Sequence, residues 1–251
     1  MPSKAALERA LERYTDSLKL KQASNLKSRS LVSLEHDSIA QVASDLRDRH
    51  ALTQEGLETL MTWKLARGKW RPRLQQLVAS NDAATVEDAT RIDPAQFPAA
   101  DFEDVKASMT RFCTLKGVGP ATASAILALY DPRNEPFMSD QAMTYVGSRS
   151  DDDDADAAAA RIKLEYTVKA WHRYRAQMQL RRDDEEWNTV EDLERALWSW
   201  AIQKELGKSS ATGEQDTSDE ASARGIGKRK ATEKDKDEPI AKKASKKSKS
   251  T

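Results

Sequence analysis

Apolar residues in this chain return at steps of three and four through almost every segment up to Leu206, and no stretch alternates polar with apolar as a strand would. That period restricts the chain to an all-α fold. Leu7, Leu11, Tyr14 and Leu18 predict a first helix, and Ile39, Val42 and Leu46 a second beginning near Asp37. Thr53 is placed to cap a third, carrying Leu57, Leu60, Met61 and Leu65, with Gly68 at its end. A fourth starts near Pro72 with Leu74, Leu77 and Val78 on one face. Loop and a short helix occupy 81–98, and Phe102, Val105, Met109 and Phe112 mark the next stripe. Pro120 opens a helix to Tyr130, Asp131-Pro132 closes it, and a short helix follows over 140–146. Leu164 to Met178 and Val190 to Trp200 stripe two long helices, with Thr189 and Asp192 spaced as a capping pair for the second.

Beyond Leu206 large apolar residues almost vanish, so residues 207–251 read as a disordered tail that buries too little surface to offset its ordering entropy. It carries ten Lys and two Arg against eight acidic residues, which leaves the first 206 with 29 basic and 33 acidic. The zero net charge thus hides an acidic body, and any nucleic-acid surface on it is a local patch. Lys228-Arg229-Lys230 and Lys242-Lys243 with Lys246-Lys247 have the spacing of a bipartite nuclear localisation signal; a generic soluble tail is the alternative. With one cysteine, Cys113, there is neither an internal disulfide nor a four-cysteine iron–sulfur cluster. His36, His50 and His172 lack metal-ligand spacing. No apolar run is long enough to span a membrane, and the charged opening residues lack the apolar stretch of a secretory leader. The run at 151–156, with five Asp, is expected to be a solvated loop.

Leu115-Lys116-Gly117-Val118-Gly119-Pro120-Ala121-Thr122-Ala123 lies between two helical stripes. Glycines there permit positive φ and close backbone approach, so successive amides can turn toward one anion, and the following helix adds the partial positive charge of its N-terminus. Such a corner grips phosphate without reading a base. An ordinary tight turn between two helices is the other reading.

The segment resembles the hairpin of the helix-hairpin-helix DNA glycosylases. That family places a catalytic aspartate about twenty residues past the hairpin, after a loop and before a short helix. Here Pro136-Phe137-Met138-Ser139-Asp140-Gln141 supplies Asp140, 21 residues beyond Gly119. A simple helix N-cap beside Ser139 is the alternative for that residue. Thr62-Trp-Lys-Leu-Ala-Arg-Gly-Lys-Trp-Arg-Pro-Arg-Leu74 further resembles a segment of the Amun-like eukaryotic nuclear proteins, which carry a glycosylase-like domain.

The latter segment also invites a reading from spacing. Leu57, Leu60, Lys64 and Arg67 carry one helical face from apolar to cationic, as if a core stripe opened into a cleft. Lys69, Arg71 and Arg73 would hold phosphates, while Trp63 with Trp70 would stack on a displaced base, with Lys64 and Arg67 completing the base pocket. The alternative is a helix end with a snorkelling lysine and core tryptophans.

The resemblance implies an N-terminal helix and linker over 1–30, a glycosylase-like domain over 31–206 and the tail. It implies DNA as partner, bound through Lys116, Gly117, Val118, Gly119 and Thr122 with Lys69 and Arg71. It also implies a carboxylate, Asp140, beside an oxocarbenium-like sugar. Members that also cut the strand carry a nucleophilic lysine two residues past the second glycine, where this chain has Ala121. The expectation is therefore a monofunctional, water-using excision of a base, in a nuclear monomer that meets an import receptor through its tail. No cofactor is implied, with room for a monovalent cation at the hairpin. Lys64 would substitute as a Schiff-base amine only if buried. A catalytically silent factor on DNA or chromatin is the second reading, and an unrelated helical scaffold the third.

Overall fold

Side-chain oxygens sit where the helices begin, accepting the amide protons that the first turn leaves unpaired. Ser3 opens α1 (Lys4–Glu12), Thr53 opens α5 (Gln54–Arg67), and Asp82 opens α7 (Ala83–Thr90). Ser139 and Thr167 do the same for α10 (Asp140–Tyr145) and α11 (Val168–Asp184). At α12 (Val190–Ala211), Thr189 Oγ1 accepts the Asp192 amide at 2.9 Å, as the spacing predicts. The remaining elements are α2 (Tyr14–Ser24), α3 (Leu31–Ser33), a π-helical turn (Leu34–Ser38), α4 (Ile39–Arg49), α6 (Pro72–Ala79), α8 (Phe102–Phe112) and α9 (Pro120–Tyr130). The computed structural model describes residues 2–24, 30–95, 97, 102–146 and 163–211, and among these the regular elements are all helices, with no strand. They belong to one unit, Met1–Glu214. The acidic run at 151–156 and both basic clusters of the tail lie outside the described residues.

Two helices are buried on nearly every side, which demands neighbours all around. In α9, eight consecutive residues from Thr122 to Leu129 are buried, and small Ala and Ser side chains let neighbouring backbones approach. In α5, Leu57, Leu60, Met61, Trp63, Leu65, Ala66 and Arg67 are all buried. These two helices touch each other; α5 also meets α4, α6 and α7, while α9 meets α4, α8 and α11. The last helix, α12, lies along α1 and α2 and reaches α10 and α11.

Several expectations change. The single N-terminal helix is two, broken at Arg13, and both halves pack on α12. Leu7 and Leu18 are fully buried, and Ser199 Oγ bonds both the Ala10 carbonyl (2.6 Å) and Ser17 Oγ (2.7 Å). Residues expected as a separate N-terminal piece are therefore part of the one core. The helix expected from Asp37 instead runs from Leu31 through the π turn, which carries Glu35 into the interior, 5% exposed. Leu164 precedes α11 rather than lying on it, and α12 continues past Leu206 to Ala211, into the segment expected to be tail.

Candidate functional site

Gly117 takes φ +80°, the left-handed region that favours glycine, and a Cβ there would lie 3.0 Å from the Leu74 carbonyl oxygen and Leu77 Cβ. The corner is pressed against α6. Just past α6, Asn81 holds it from both sides: Oδ1 accepts the Lys116 amide at 2.9 Å, and Nδ2 donates to the Lys116 carbonyl at 3.0 Å. Val118 is buried, and its amide donates to the Leu115 carbonyl at 3.1 Å. Gly119 is different. It is the extended N-cap of α9, and a Cβ there would meet nothing within 4 Å.

These facts narrow the expectation that successive amides of the corner turn toward one anion. The Lys116 and Val118 amides are spent inside the protein, and Val118 is a core anchor. Gly117 and Gly119 have no amide partner among the described residues, and both line an adjacent cleft. Thr122 lines it too, but is 2% exposed with its amide on the Gly119 carbonyl, so it forms floor rather than an open phosphate contact. The Lys116 side chain is exposed and does not line the cleft.

The cleft measures about 270 Å³, just under the roughly 300 Å³ at which ligand pockets usually begin. Its walls come from four places: Lys64 and Arg67 of α5 with Lys69 and Arg71 beyond; the hairpin through Thr122; Phe137 to Gln141; and Tyr166 with Trp198. It thus joins residues 64–71, 117–122 and 140, which sequence spacing alone could not bring together.

Asp140 is the first residue of α10, not its cap. Ser139 has that role, accepting the Ala142 amide, which leaves the Asp140 carboxylate for the cleft. Oδ1 of Asp140 accepts a 2.6 Å hydrogen bond from the Tyr166 hydroxyl. Burial and the bond to Asp140 raise the Tyr166 phenol above its ordinary range, so it stays a proton donor to that carboxylate.

Lys64 is partly buried on the facing wall. Burial and the positive charge of Arg71 lower its ammonium from 10.5 to about 8, while Asp140 pulls the other way. Lys69 and Arg71 are exposed at the rim.

Trp63 and Arg67 depart from the expected base pocket. Trp63 is 5% exposed, donates its indole N–H to Glu35 Oε2 at 2.5 Å, and packs tilted behind Phe137 with ring centroids 5.3 Å apart. It is core, the alternative that spacing had left open, and Trp70 is half-buried against the same core. Arg67 touches the cleft, yet its guanidinium is committed: it is 2% exposed, pairs with both Glu194 oxygens (3.1 and 2.9 Å) and lies 4.7 Å over Trp198. A face cannot be read from charge alone when a buried partner is available.

Glu194 is the residue that sequence reasoning missed most. Besides Arg67 it accepts a short hydrogen bond from Ser139 Oγ, so one carboxylate ties the end of α5 to the start of α10. Its position was a signal: four residues after Val190, it falls on the inner face of a striped helix, where a lone charge needs a partner. Tyr166 and Asn81 carried no such signal.

Comparison with protein-family models, curated proteins and solved structures finds no match for this chain. Among the described residues no three His, Cys, Asp or Glu side chains are grouped to hold a metal ion, and no helix is long and apolar enough to cross a membrane.

Proposed function

We propose that this chain is a DNA-binding protein of the helix-hairpin-helix glycosylase type that hydrolyses an N-glycosidic bond to remove a base. One observation carries the reading: a single cleft is lined by the Gly117–Gly119 corner, by cationic Lys69 and Arg71, and by the Asp140 carboxylate. The corner and the cations suit a phosphate backbone. A carboxylate beside them suits a sugar that gains positive charge as its base departs, and it can orient the attacking water. Ala121 stands where strand-cutting relatives of that type carry lysine, which favours the water-using reaction for this step. Nuclear import through the tail's basic clusters and action as a monomer belong to the same proposal.

The test is a panel of duplexes carrying deaminated, alkylated or oxidised bases, incubated with protein and then cleaved with alkali at abasic sites. Product from one lesion, lost in Asp140→Asn, is the expected outcome. Binding is tested separately with Gly119→Glu, because Gly119 has open space and ordinary φ, so the variant keeps its fold while placing negative charge at the corner. Loss of duplex affinity, steeper at low salt, is expected. If no lesion yields product while Gly119→Glu still abolishes binding, the second reading holds: a silent DNA or chromatin factor. The Tyr166 hydroxyl already seated on Asp140 favours that reading. If duplex DNA is not bound at all, both readings fail.

A further inference from the structure

Two buried N–H groups on residues that line the cleft have no acceptor. Trp198 is fully buried and Arg67 is 2% exposed, and both are part of the cleft lining. Glu194 takes the two terminal nitrogens of Arg67, which leaves Nε unmet, and the Trp198 indole Nε1 has no partner either. The two side chains are neighbours, the guanidinium carbon lying 4.7 Å from the centre of the Trp198 ring. An unmet buried donor is costly and seldom kept, so a pair of them at one place points to a ligand that arrives with acceptors. Lys64, one turn before Arg67 on α5, also lines the cleft and has no salt bridge or hydrogen bond among the described residues. Indole, guanidinium and ammonium groups donate and never accept, so these three side chains offer donors only. Leu65, Leu74, Phe137 and Met138 add apolar lining of the kind a flat ring packs against.

We propose that Trp198 and Arg67 select the base this cleft accepts, by donating to a carbonyl oxygen at the position where an unaltered base carries an amino group; this rests on the DNA reading above. Hydrolytic deamination makes that exchange, turning adenine into hypoxanthine and cytosine into uracil. The carbonyl oxygen has two lone pairs, enough for both N–H groups. An amino group in its place turns N–H against N–H, so the donors of the protein and those of the base all stay unmet. The same two groups thus hold the altered base and refuse its parent. Each unmet donor costs about 5- to 150-fold in affinity, so the pair should favour the carbonyl base by about 25-fold or more.

The experiment follows the isotope-labelled full chain by nuclear magnetic resonance, reading the Trp198 indole N–H and the Arg67 Nε–H. Loss of one signal in Trp198→Phe identifies the indole. The probes are free hypoxanthine against adenine, and free uracil against cytosine. Hypoxanthine and uracil should move both signals, and their titrations should give affinities about 25-fold or more above those of adenine and cytosine. A duplex with one deoxyinosine should move the same signals, whereas the unaltered duplex should bind and leave them in place. Trp198→Phe, which keeps a ring and removes the N–H, should bind hypoxanthine about fivefold or more weakly with adenine unchanged. Should that variant not fold, the titrations of the parent chain still decide.

Hypoxanthine and uracil that move neither signal overturn the proposal; the N–H groups then meet buried water, or the Tyr14 ring that stands edge-on to Trp198 at 5.6 Å. Adenine and cytosine that move them equally overturn the class of base. A deoxyinosine duplex that binds without moving them overturns the proposal and leaves the DNA reading standing. Free hypoxanthine that moves them, with no duplex bound, supports the selective floor and overturns the DNA reading alone.

Discussion

At the residue scale, Lys64 and Gly117 each do something their neighbours in sequence do not. Lys64 keeps a charge in a place that disfavours it. The unfolded chain holds this proton up to 10.5 and the folded chain only to about 8. Between those values the unfolded state binds more protons, so stability rises with pH across the window, and below pH 8 the penalty is full. Lys64→Met should therefore stabilise the protein at pH 7, by about 1–3 kcal/mol after allowing for residual solvent contact, and the gain should vanish by pH 10.5. Urea midpoints at the two pH values check this; an equal gain at both would refute the linkage. The two hairpin glycines separate similarly. Gly117→Ala meets both a positive φ and atoms at 3.0 Å, so a loss of about 1–3 kcal/mol is expected. Gly119→Ala meets neither and should stay within about 1 kcal/mol of the parent. Equal losses would show that the corner is not held against α6 as described.

At the scale of elements, the cleft depends on α12, which among the described residues lends it a single lining side chain, Trp198. Glu194 of α12 holds Arg67 on α5 and Ser139 at the cap of α10, so the helices bearing Lys64 and Asp140 share one buried anchor. Removing one partner of a buried ion pair strands the other, and Glu194→Ala should cost about 3–5 kcal/mol. Replacing both, Arg67→Met with Glu194→Leu, should recover a large part of that loss, because the surroundings are apolar. Denaturation of the two singles and the double closes the cycle; a double as unstable as the sum of the singles would refute the pairing. A second buried pair serves the same approach from another side. Glu135 is 1% exposed and binds Arg175 of α11 at 2.6–3.0 Å, fastening the loop that leads to Asp140. Burial raises the Glu135 carboxyl, and the Arg175 bond works against that shift.

At the scale of the whole molecule, the N-terminal helices close the core rather than precede it. Leu7, Tyr14 and Leu18 are buried against α12, and burying each such side chain contributes about 1.5–3 kcal/mol. Their sum approaches the 5–15 kcal/mol by which domains are typically stable. Deleting residues 1–24 should accordingly abolish cooperative unfolding, as followed by circular dichroism against urea, whereas a separate appendage would leave the transition unchanged.

Much of the fold was legible because it rests on local rules. Period, proline and capping residues located α5, α6, α8, α9, α10 and α12 within a residue or two at their starts, and the glycine corner announced itself by composition. The break at Arg13 and the π turn at Leu34–Ser38 were not legible, since the spacing of apolar residues marks neither. The site was legible by half. Asp140, Lys64, Lys69 and Arg71 came from spacing and resemblance, and all four line the cleft. Trp63 and Arg67 were grouped with Lys64 because one helix carries all three, but a helix has several faces and the chain does not say what each will meet.

The starts of α5, α6, α8, α9, α10 and α12 and the bend at Gly117 were determined by the sequence alone, because backbone sterics and first-turn hydrogen bonds act over a few residues. Which cations reach solvent was decided only by tertiary packing. Lys64 and Arg67 lie three residues apart on α5, yet one meets open cleft and the other meets Glu194, 127 residues away. A buried charge is tolerable only where a partner arrives, and that arrival belongs to the fold.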